Sequence, residues 1–363
     1  MRLRSVSSYA REVRPSLPAH AFDAVPSRIA WLTLHLAIIA GGIYAIKAGI
    51  GGWYAAPLFA LLIGHSFAGC AFVGHETLHG AVVRQRTLRH AIGWVAFVPF
   101  TLSPRLWVAW HNKTHHAHTM SMERDPDCFP TLDVYHKQPR TQAADKVAFA
   151  VDRPWGFITL LLGFSGQTLQ VLLSWGKNIM SKRDLALSYV ETFFAFAVWA
   201  ALFVYLGPLK FVVACTVPWL IGNVIVISYI LTNHSLSPHT EDVNDPLVNS
   251  LSVTLPKVFE VLHLNFGLHV EHHLFPSMSS KYAPLVRDQL VRLWPERYQS
   301  LPLMTAMAQL KSTPRVYVSD TVLIDPVTGK QSPAIVPRPT AASAHADVVD
   351  VGPAAQDDCI DAA

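Results

Sequence analysis

Histidine is the residue type whose number and spacing in this chain call for a chemical explanation. The sequence holds 18 histidines in 363 residues, and nine of them lie in three short windows, 75–79, 111–118 and 269–273. An even distribution would place about one histidine in these windows. Neutral imidazole suits zinc, copper, iron and nickel, whereas magnesium and calcium prefer oxygen ligands. The windows therefore indicate a transition-metal site.

The spacing within the first two windows lets a helix direct several imidazoles at one region. His75 and His79 are four residues apart, so their rings project from one face of a helix. His111 and His115 have the same spacing, and His116 stands about 100° around the helix axis. The second window is therefore able to serve two metal ions rather than one.

The third window repeats this arrangement. His272 and His273 lie three and four residues after His269, so one helix presents all three rings over a narrow arc. Pro276 ends that helix, because the residue before a proline disfavours helical geometry. The four scattered cysteines disfavour an iron–sulfur cluster, whereas a haem with one or two axial histidines stays open. The eight nitrogens of the spaced histidines exceed the capacity of one ion, which predicts a two-metal site.

Two further residues and several carboxylates are candidates for the site. His234 follows the last apolar segment, where it either completes the ligand set or ends a helix at the interface. Asn265 lies one helical turn before His269 and either binds a metal through water or turns the chain. Metal-bound imidazoles usually donate their second N–H to a carboxylate or carbonyl. The carboxylates in or near the windows are Glu76, Glu271, Asp125 and Asp127.

The composition indicates that a membrane protein positions these windows. Hydrophobic residues make up 51% of the chain and charged residues 15%, against about 25% charged residues in ordinary soluble domains. This composition and the net charge of +4 disfavour a disordered chain, a highly charged soluble protein and a nucleic-acid-binding protein. Crossing a bilayer takes about 20 apolar residues in a helix. The segments that qualify are 29–50, 53–73, 187–206 and 211–231.

Two other apolar segments are predicted to lie in the membrane interface. Segment 91–103 is too short to cross, and segment 155–175 carries several glycine, glutamine and serine residues. If 155–175 crossed, the third window would face the opposite side from the first two. If 155–175 does not cross and only the two hairpins span the membrane, all three windows lie on the same side of it. Only Lys47 and Lys210 then fall on the other side, which agrees with the positive-inside rule and places both termini in the cytoplasm.

The predicted fold is an all-α integral membrane protein. It has four transmembrane helices in two hairpins, interfacial helices, and a cytoplasmic helical cap that carries the histidine windows. Residues 1–28 are expected to form a cytoplasmic N-terminal segment and residues 29–320 the membrane domain. Residues 321–363, without apolar periodicity, are expected to form a disordered tail. The chain is thus predicted to be a multi-pass protein, of the inner membrane if its source is bacterial.

The motifs HxxxH, HxxxHH and HxxHH, in this order around the predicted spans, resemble those of the integral membrane fatty acid desaturase family. Residues 110–116 and 124–127 are similar to the second histidine box of the family and the segment after it, and residues 265–276 resemble the third box. The resemblance covers roughly residues 29 to 302. It implies a non-haem di-iron centre, with dioxygen as a reactant. The ligands it implies, with His234 as the ninth, are His75, His79, His111, His115, His116, His234, His269, His272 and His273.

The resemblance also implies the reaction and the electron donor. The reaction is the introduction of a double bond into the alkyl chain of an acyl lipid or acyl thioester, with no catalytic side chain apart from the metal ligands. Position 269 is histidine, where family members with a fused cytochrome usually have glutamine, and their His-Pro-Gly-Gly motif is absent. Electrons are therefore expected from a separate ferredoxin or small cytochrome.

Two alternatives stay open at this point. A hydroxylase or ketolase of the same superfamily, acting on an alkane, a carotenoid or another apolar substrate, would share the histidine boxes. A metal transporter would place ionisable residues at mid-membrane on several helices. The predicted spans hold only His35, His65 and Glu191 in their interiors, which disfavours a transporter.

Overall fold

Helices make up most of residues 3–337, which are the residues that the computed structural model describes. The first α-helices are α1 Val6–Val13, α2 Ile29–Ala48, α3 Gly52–Leu78, α4 Arg86–Phe97, α5 Pro104–Trp107, α6 Leu132–Lys137, α7 Pro139–Lys146, α8 Phe157–Gln170 and α9 Gly176–Ile179. The others are α10 Lys182–Leu206, α11 Pro208–Phe211, α12 Val217–His234, α13 Pro246–Asn249, α14 Lys257–Leu262, α15 His269–Leu274, α16 Ala283–Leu293 and α17 Leu303–Ser312.

Short strands and non-α helical turns complete the fold. The strands are β1 Ser252–Thr254, β2 Ser300–Pro302, β3 Val316–Ser319, β4 Val322–Ile324 and β5 Gln331–Pro333. Strands β1 and β2 pair in parallel, and β3, β4 and β5 form an antiparallel sheet in that order. The π-helical turns are Val108–His115, Val171–Trp175 and Val212–Thr216. The 3₁₀ turns are Arg14–Ser16, Ala19–Phe22, Pro26–Arg28, Val98–Phe100, Pro154–Gly156 and Ser280–Tyr282.

Five helical segments in the described part of the chain have the length and hydropathy to cross a membrane. They are Pro26–Ala48, Gly52–Leu78, Pro154–Ile179, Lys182–Leu206 and Pro208–His234. Four of them contain most of the predicted spans, and Pro154–Ile179 contains 155–175. A further pair, Arg86–Phe100 and Pro104–His115, is bent by 100° and includes most of 91–103. The fold is thus that of a mainly helical membrane protein with five candidate spans.

The turns of the two predicted hairpins meet at one end of the bundle. Gly49 links α2 to α3 with a φ of +74°, and Gly207 links α10 to α11 with a φ of +76°. Glycine adopts this left-handed backbone region without the steric cost that other residues incur. The Lys47 ammonium donates to the Tyr205 carbonyl, and the Lys210 ammonium donates to the Lys47 carbonyl at 2.7 Å. These bonds tie the two turns together.

Glu191 is the acidic residue in the middle of α10, and it joins that helix to the bent segment. Its carboxylate accepts hydrogen bonds from Ser103 Oγ at 2.6 Å and from Arg105 Nε at 2.9 Å, and it pairs with His90 Nε2 at 2.7 Å. An ionisable group within an apolar helix is stable when partners satisfy it. Glu191 therefore fixes the position of the segment that leads into the second histidine window.

The predicted disordered tail is wrong for residues 321–337, because β4 and β5 lie there. Tyr317, Leu323 and Ala334 bury their side chains with Met120, so the sheet has a small apolar core. Both strands have only three residues, too few to show an alternating pattern, which is why the sequence did not predict them. The rest of the predicted tail, residues 338–363, lies outside the described residues.

A buried ion pair joins this C-terminal sheet to the helical domain. The Arg153 guanidinium donates to Asp325 Oδ1 at 2.8 Å and to Asp145 Oδ2 at 3.0 Å, and all three side chains are buried. Removing one member of a buried pair leaves an uncompensated charge in the interior, which is costly.

We predict that Arg153→Leu lowers the free energy of unfolding by about 3–5 kcal/mol, because both carboxylates lose their cation. Denaturant titration of the purified protein in detergent measures this change. The control is Lys137→Leu, because Lys137 and Asp133 form a pair with both side chains mostly exposed. Its expected effect is below about 1 kcal/mol. Equal effects of the two substitutions would contradict the prediction.

Candidate metal centre

The first window lies at the end of α3, as its spacing predicts. His75 is in the last turn of the helix and His79 caps it, with ring centroids 4.7 Å apart. Glu76, predicted as a partner of the rings, binds elsewhere: it accepts from Arg28 Nε at 3.1 Å and from the Ser280 N–H at 3.1 Å. Glu76 thus ties α3 to the segment that follows the third window.

The second window lies in a π-helix rather than the predicted α-helix. The His116 N–H donates to the His111 carbonyl at 3.1 Å, a bond that spans five residues. The wider turn brings His116 Nε2 within 3.2 Å of His111 Nε2. The rings of His111 and His115 stack 5.1 Å apart, and each ring belongs to a different one of the two groups of four histidines described below. Single π-turns of this kind are frequent at functional sites.

The third window forms α15, which ends at Leu274, two residues before Pro276, as predicted. The Ser252 hydroxyl oxygen accepts from the His269 and Val270 N–H groups, both at 3.1 Å, and so caps the helix. Glu271 accepts from Ser252 Oγ at 2.6 Å and from the Tyr298 hydroxyl at 2.6 Å. This carboxylate therefore orients the helix that carries the window and does not hold a ring.

The structure brings all nine predicted histidines together, in two groups joined by His116. Within each group one side-chain nitrogen from every member lies within 4.8 Å of the others. The groups are His75, His79, His111 and His272, and then His115, His234, His269 and His273; a smaller set of His111, His115 and Asp127 overlaps both. The ring of His116 lies between them, with Nε2 3.1 Å from His272 Nε2 and its centroid 4.3 Å from that of His273. Two sets of converging nitrogens are what a two-metal site requires.

Burial keeps most of these imidazoles in the form that binds a metal. It lowers the pKa of the rings outside the apolar helices well below the usual histidine value, namely those of His79, His111, His116, His269, His272 and His273. Burial also acts to lower the pKa of His115, but the Asp125 carboxylate raises it above its ordinary value. Neutral imidazole offers a lone pair, and metal binding requires that form.

Several groups outside the windows fix the orientation of the rings. Asp125 accepts from His115 Nδ1 at 3.1 Å, and the Asn249 carbonyl accepts from His234 Nδ1 at 3.0 Å. The Thr119 hydroxyl lies 3.3 Å from His273 Nδ1. In each case the second nitrogen, Nε2, is left for the centre, as in known metal–imidazole sites.

Asp127 connects the site to α8. Its carboxylate accepts from Trp110 Nε1 and from Gln167 Nε2, both at 2.7 Å, and lies 3.4 Å from His115 Nδ1. The segment Pro154–Ile179 thus contributes a side chain, Gln167, to the surroundings of the centre. The partners Asn249, Thr119 and Gln167 were missed by the sequence analysis, because a backbone carbonyl, a hydroxyl and an amide carry no motif.

Some buried polar atoms of the site have no hydrogen-bond partner within residues 3–337. They are His79 Nε2, His116 Nδ1, His269 Nδ1 and Asn265 Oδ1. An unpartnered buried nitrogen such as His79 Nε2 is consistent with a ligand that the chain itself does not supply. Asn265 turns the chain at a φ of +56°, outside α15, so its predicted place one helical turn before His269 is wrong.

An apolar cavity adjoins the imidazoles. Five of them, His75, His111, His115, His234 and His269, lie in its wall. The rest of the wall is Ala71, Phe72, Phe97, Trp107, Trp110, Asp127, Phe164, Val226, Ile230 and Phe266. Such a wall suits an apolar ligand, because it offers few hydrogen-bonding groups.

Comparison with known proteins agrees with this geometry. The family model described as fatty acid desaturase matches residues 51–302. The chain is 23% identical to the sn-1 oleoyl-lipid 12-desaturase of Anabaena variabilis over 294 residues, which covers 78% of this chain and 82% of the relative. It is 30% identical to the sn-1 acyl-lipid omega-3 desaturase (ferredoxin) of Synechocystis over 129 residues, 35% of each protein. The chloroplastic omega-6 fatty acid desaturase of Spinacia oleracea is 22% identical over 323 residues, 85% of this chain and 70% of the relative.

We predict that Asp125→Asn weakens metal binding by about 10–100-fold, because His115 loses the carboxylate that orients it. Titration of the metal-free protein with cobalt(II), followed by absorption, measures the affinity. Asp133→Asn, an exposed site, serves as the control. An affinity unchanged in Asp125→Asn would show that the carboxylate does not support the metal site.

Proposed function

The chain belongs to the fatty acid desaturase family, and on that premise we propose that it introduces a double bond into the acyl chain of a membrane lipid or acyl thioester. The observation that carries this proposal is the set of nine converging imidazoles beside an apolar cavity. The relatives whose names specify acyl lipids support a lipid-linked substrate. As a member of this family, the protein is an oxidoreductase.

We propose that the nine histidines bind two iron ions. The two groups of nitrogens and the unpartnered His79 Nε2 support this assignment. Iron bound there would supply, with dioxygen, the oxidising power needed to remove hydrogen from an unactivated chain. Overall, two carbon-bound hydrogens, two electrons and two protons combine with one dioxygen to give a carbon–carbon double bond and two waters.

The contribution of the protein is to position the chain and exclude water. Phe72, Phe97 and Phe164 in the cavity wall offer contacts to methylene groups and none to water. An alkyl chain has no polar group at the reacting carbon, so the shape of the cavity must set which carbon lies near the histidines. A dry site also limits side reactions of the oxidant. No acid or base apart from the metal ligands is needed in this scheme.

The electrons are proposed to come from a separate protein. A relative named as a ferredoxin-dependent omega-3 desaturase supports a ferredoxin as the donor. A small cytochrome is the other candidate that the sequence leaves. Dioxygen and the lipid substrate complete the set of partners.

We also propose that the chain crosses the membrane four times, with both termini in the cytoplasm. Three apolar helical segments lie between the second and third windows, and the windows meet in one centre. An odd number of crossings between them would put the windows on opposite sides, so one segment must enter without crossing. Pro154–Ile179 is the best candidate, because Gln167 on it contacts Asp127 beside the centre. Residues 1–28 and 29–320 then keep their predicted roles as cytoplasmic segment and membrane domain.

A reporter fused after Lys182 tests this topology. We expect it to be active on the cytoplasmic side, because 155–175 does not cross in the proposed arrangement. A matched fusion after Gly207 is expected on the opposite side, since it follows the third crossing. A reporter at 182 that is active only outside would overturn the four-span proposal.

Product analysis tests the reaction. Expression in a host of defined acyl composition is expected to give new double bonds, detected by mass spectrometry of the lipids. His272→Ala and His115→Ala are expected to lower product below detection and to reduce iron from about two ions per chain, because each removes a proposed ligand. His136→Ala, an exposed site, is the control. New hydroxyl or keto products without new double bonds would favour the hydroxylase or ketolase alternative instead.

A further inference from the structure

Helix α14 has an apolar face that the described chain does not cover. Val258, Phe259 and Val261 are exposed, with 59%, 43% and 45% of their surfaces accessible. Three apolar side chains in one six-residue helix are more than scattered surface residues, and such patches mark interaction sites. Lys257 at the start of the helix has an exposed side chain, as expected for a lysine that reaches from an apolar region toward water.

The contact between α14 and α3 shows where α14 lies relative to the exposed leucines of α3. Leu58, Leu61 and Leu62 are exposed on α3, and together with His65 they follow the three- and four-residue spacing of one helix face. His65 Nε2 lies 3.0 Å from the Nε2 of His263, the residue that caps α14. The end of α14 therefore meets α3 where its lipid-facing stripe stops.

The depth of this contact follows from the helix rise. His65 precedes His75 by ten residues of continuous helix, which is about 15 Å along the axis at 1.5 Å per residue. The loop that carries α14 thus extends from the level of the metal centre about 15 Å toward the opposite end of α3. A helix at that level, beside lipid-facing leucines, has the acyl region of the bilayer as its neighbour.

A chain of hydrogen bonds holds α14 at this level. The buried Tyr229 hydroxyl lies 2.7 Å from His263 Nδ1. The other ring nitrogen of His263, Nε2, lies 3.0 Å from His65 Nε2.

The residues that follow α14 lead directly to the centre. Leu264, Asn265 and Phe266 line a second cavity, whose wall also includes His75 and His272. Phe266 packs against Phe72 and His75, with ring centroids 4.5 and 5.0 Å apart. A chain that enters beside α14 would therefore meet the metal ligands after passing these rings.

We propose that α14 lies in the acyl region of the leaflet on the side of the histidine windows and borders a lateral entrance, through which the acyl chain of an intact membrane glycerolipid reaches the centre. This inference rests on the proposed function for the identity of the substrate, but not for the location of α14. It narrows the substrate class to chains that are still esterified in the bilayer, rather than chains delivered from water.

Photo-crosslinking tests the location of α14 without any need for activity. A benzophenone amino acid is placed at position 258 of the full-length protein, in vesicles of phosphatidylcholine and phosphatidylglycerol. The matched control is position 327, also an exposed valine, in the turn between β4 and β5. We expect lipid adducts, measured by mass spectrometry of the peptides, at least tenfold more abundant at 258. Equal yields at the two positions would overturn the proposal.

Substitution tests the entrance. Val258→Asp and Phe259→Asp place a charge in the acyl region and are expected to reduce turnover of lipid in vesicles at least tenfold relative to turnover of a short, water-soluble acyl thioester. The metal content should stay unchanged, and Val327→Asp should leave both rates unchanged. Equal loss of both rates with full metal content would overturn the entrance. If the wild-type protein desaturates neither substrate, the proposed function fails, and the cross-linking result alone decides where α14 lies.

Discussion

The structure depends on one constraint: nine imidazoles, drawn from segments almost 200 residues apart in the sequence, must meet with one ring nitrogen of each facing inward. Burial favours the neutral form of most of them, as the lowered pKa values of His111 and His272 show. Burial alone would leave the rings free to rotate. Their orientation comes from groups outside the windows, such as the Asn249 carbonyl behind His234. The fold is therefore best understood as the means of bringing these segments to one place and holding each ring there.

Each element near the centre answers part of that requirement. Helix α3 is 27 residues long, more than a bilayer core needs, so its last turn is available to present the first window. The π-turn that ends at His115 places His111 and His115 in different groups of four histidines. In a regular α-helix, two residues four positions apart lie on one face. Ser252 joins β1 to α15 by capping that helix, and Glu191 holds the bent segment against α10. Each of these contacts involves only a few side chains, but each one fixes the position of a segment that carries histidines.

Features set by short-range rules could be predicted from the sequence. The facing pair His75 and His79, the end of α15 before Pro276 and the glycine turns follow from helix spacing and backbone preferences. The meeting of the eight spaced histidines was also predictable, because their clustering is visible in the sequence, whereas His234 was a candidate only from its place after the last apolar segment. The π-turn was not, since it depends on what the rings meet in three dimensions. Nor were the carbonyl of Asn249, the strands after Val322 or the contact of Gln167 with Asp127, because each partner is distant in sequence and ordinary in type.

The two acids within the windows show why proximity in sequence is a poor guide to role. Glu76 and Glu271 lie between histidines, yet Glu76 binds Arg28 and Ser280, and Glu271 binds Ser252 and Tyr298. On a helix, a residue next to a histidine points about 100° away from it, so it faces the protein when the histidine faces the centre. The carboxylates that do face a ring, Asp125 and Asp127, come from the loop after the second window. The first and third windows thus present imidazoles on one face and, on the other, a carboxylate that contacts neighbouring segments of the chain.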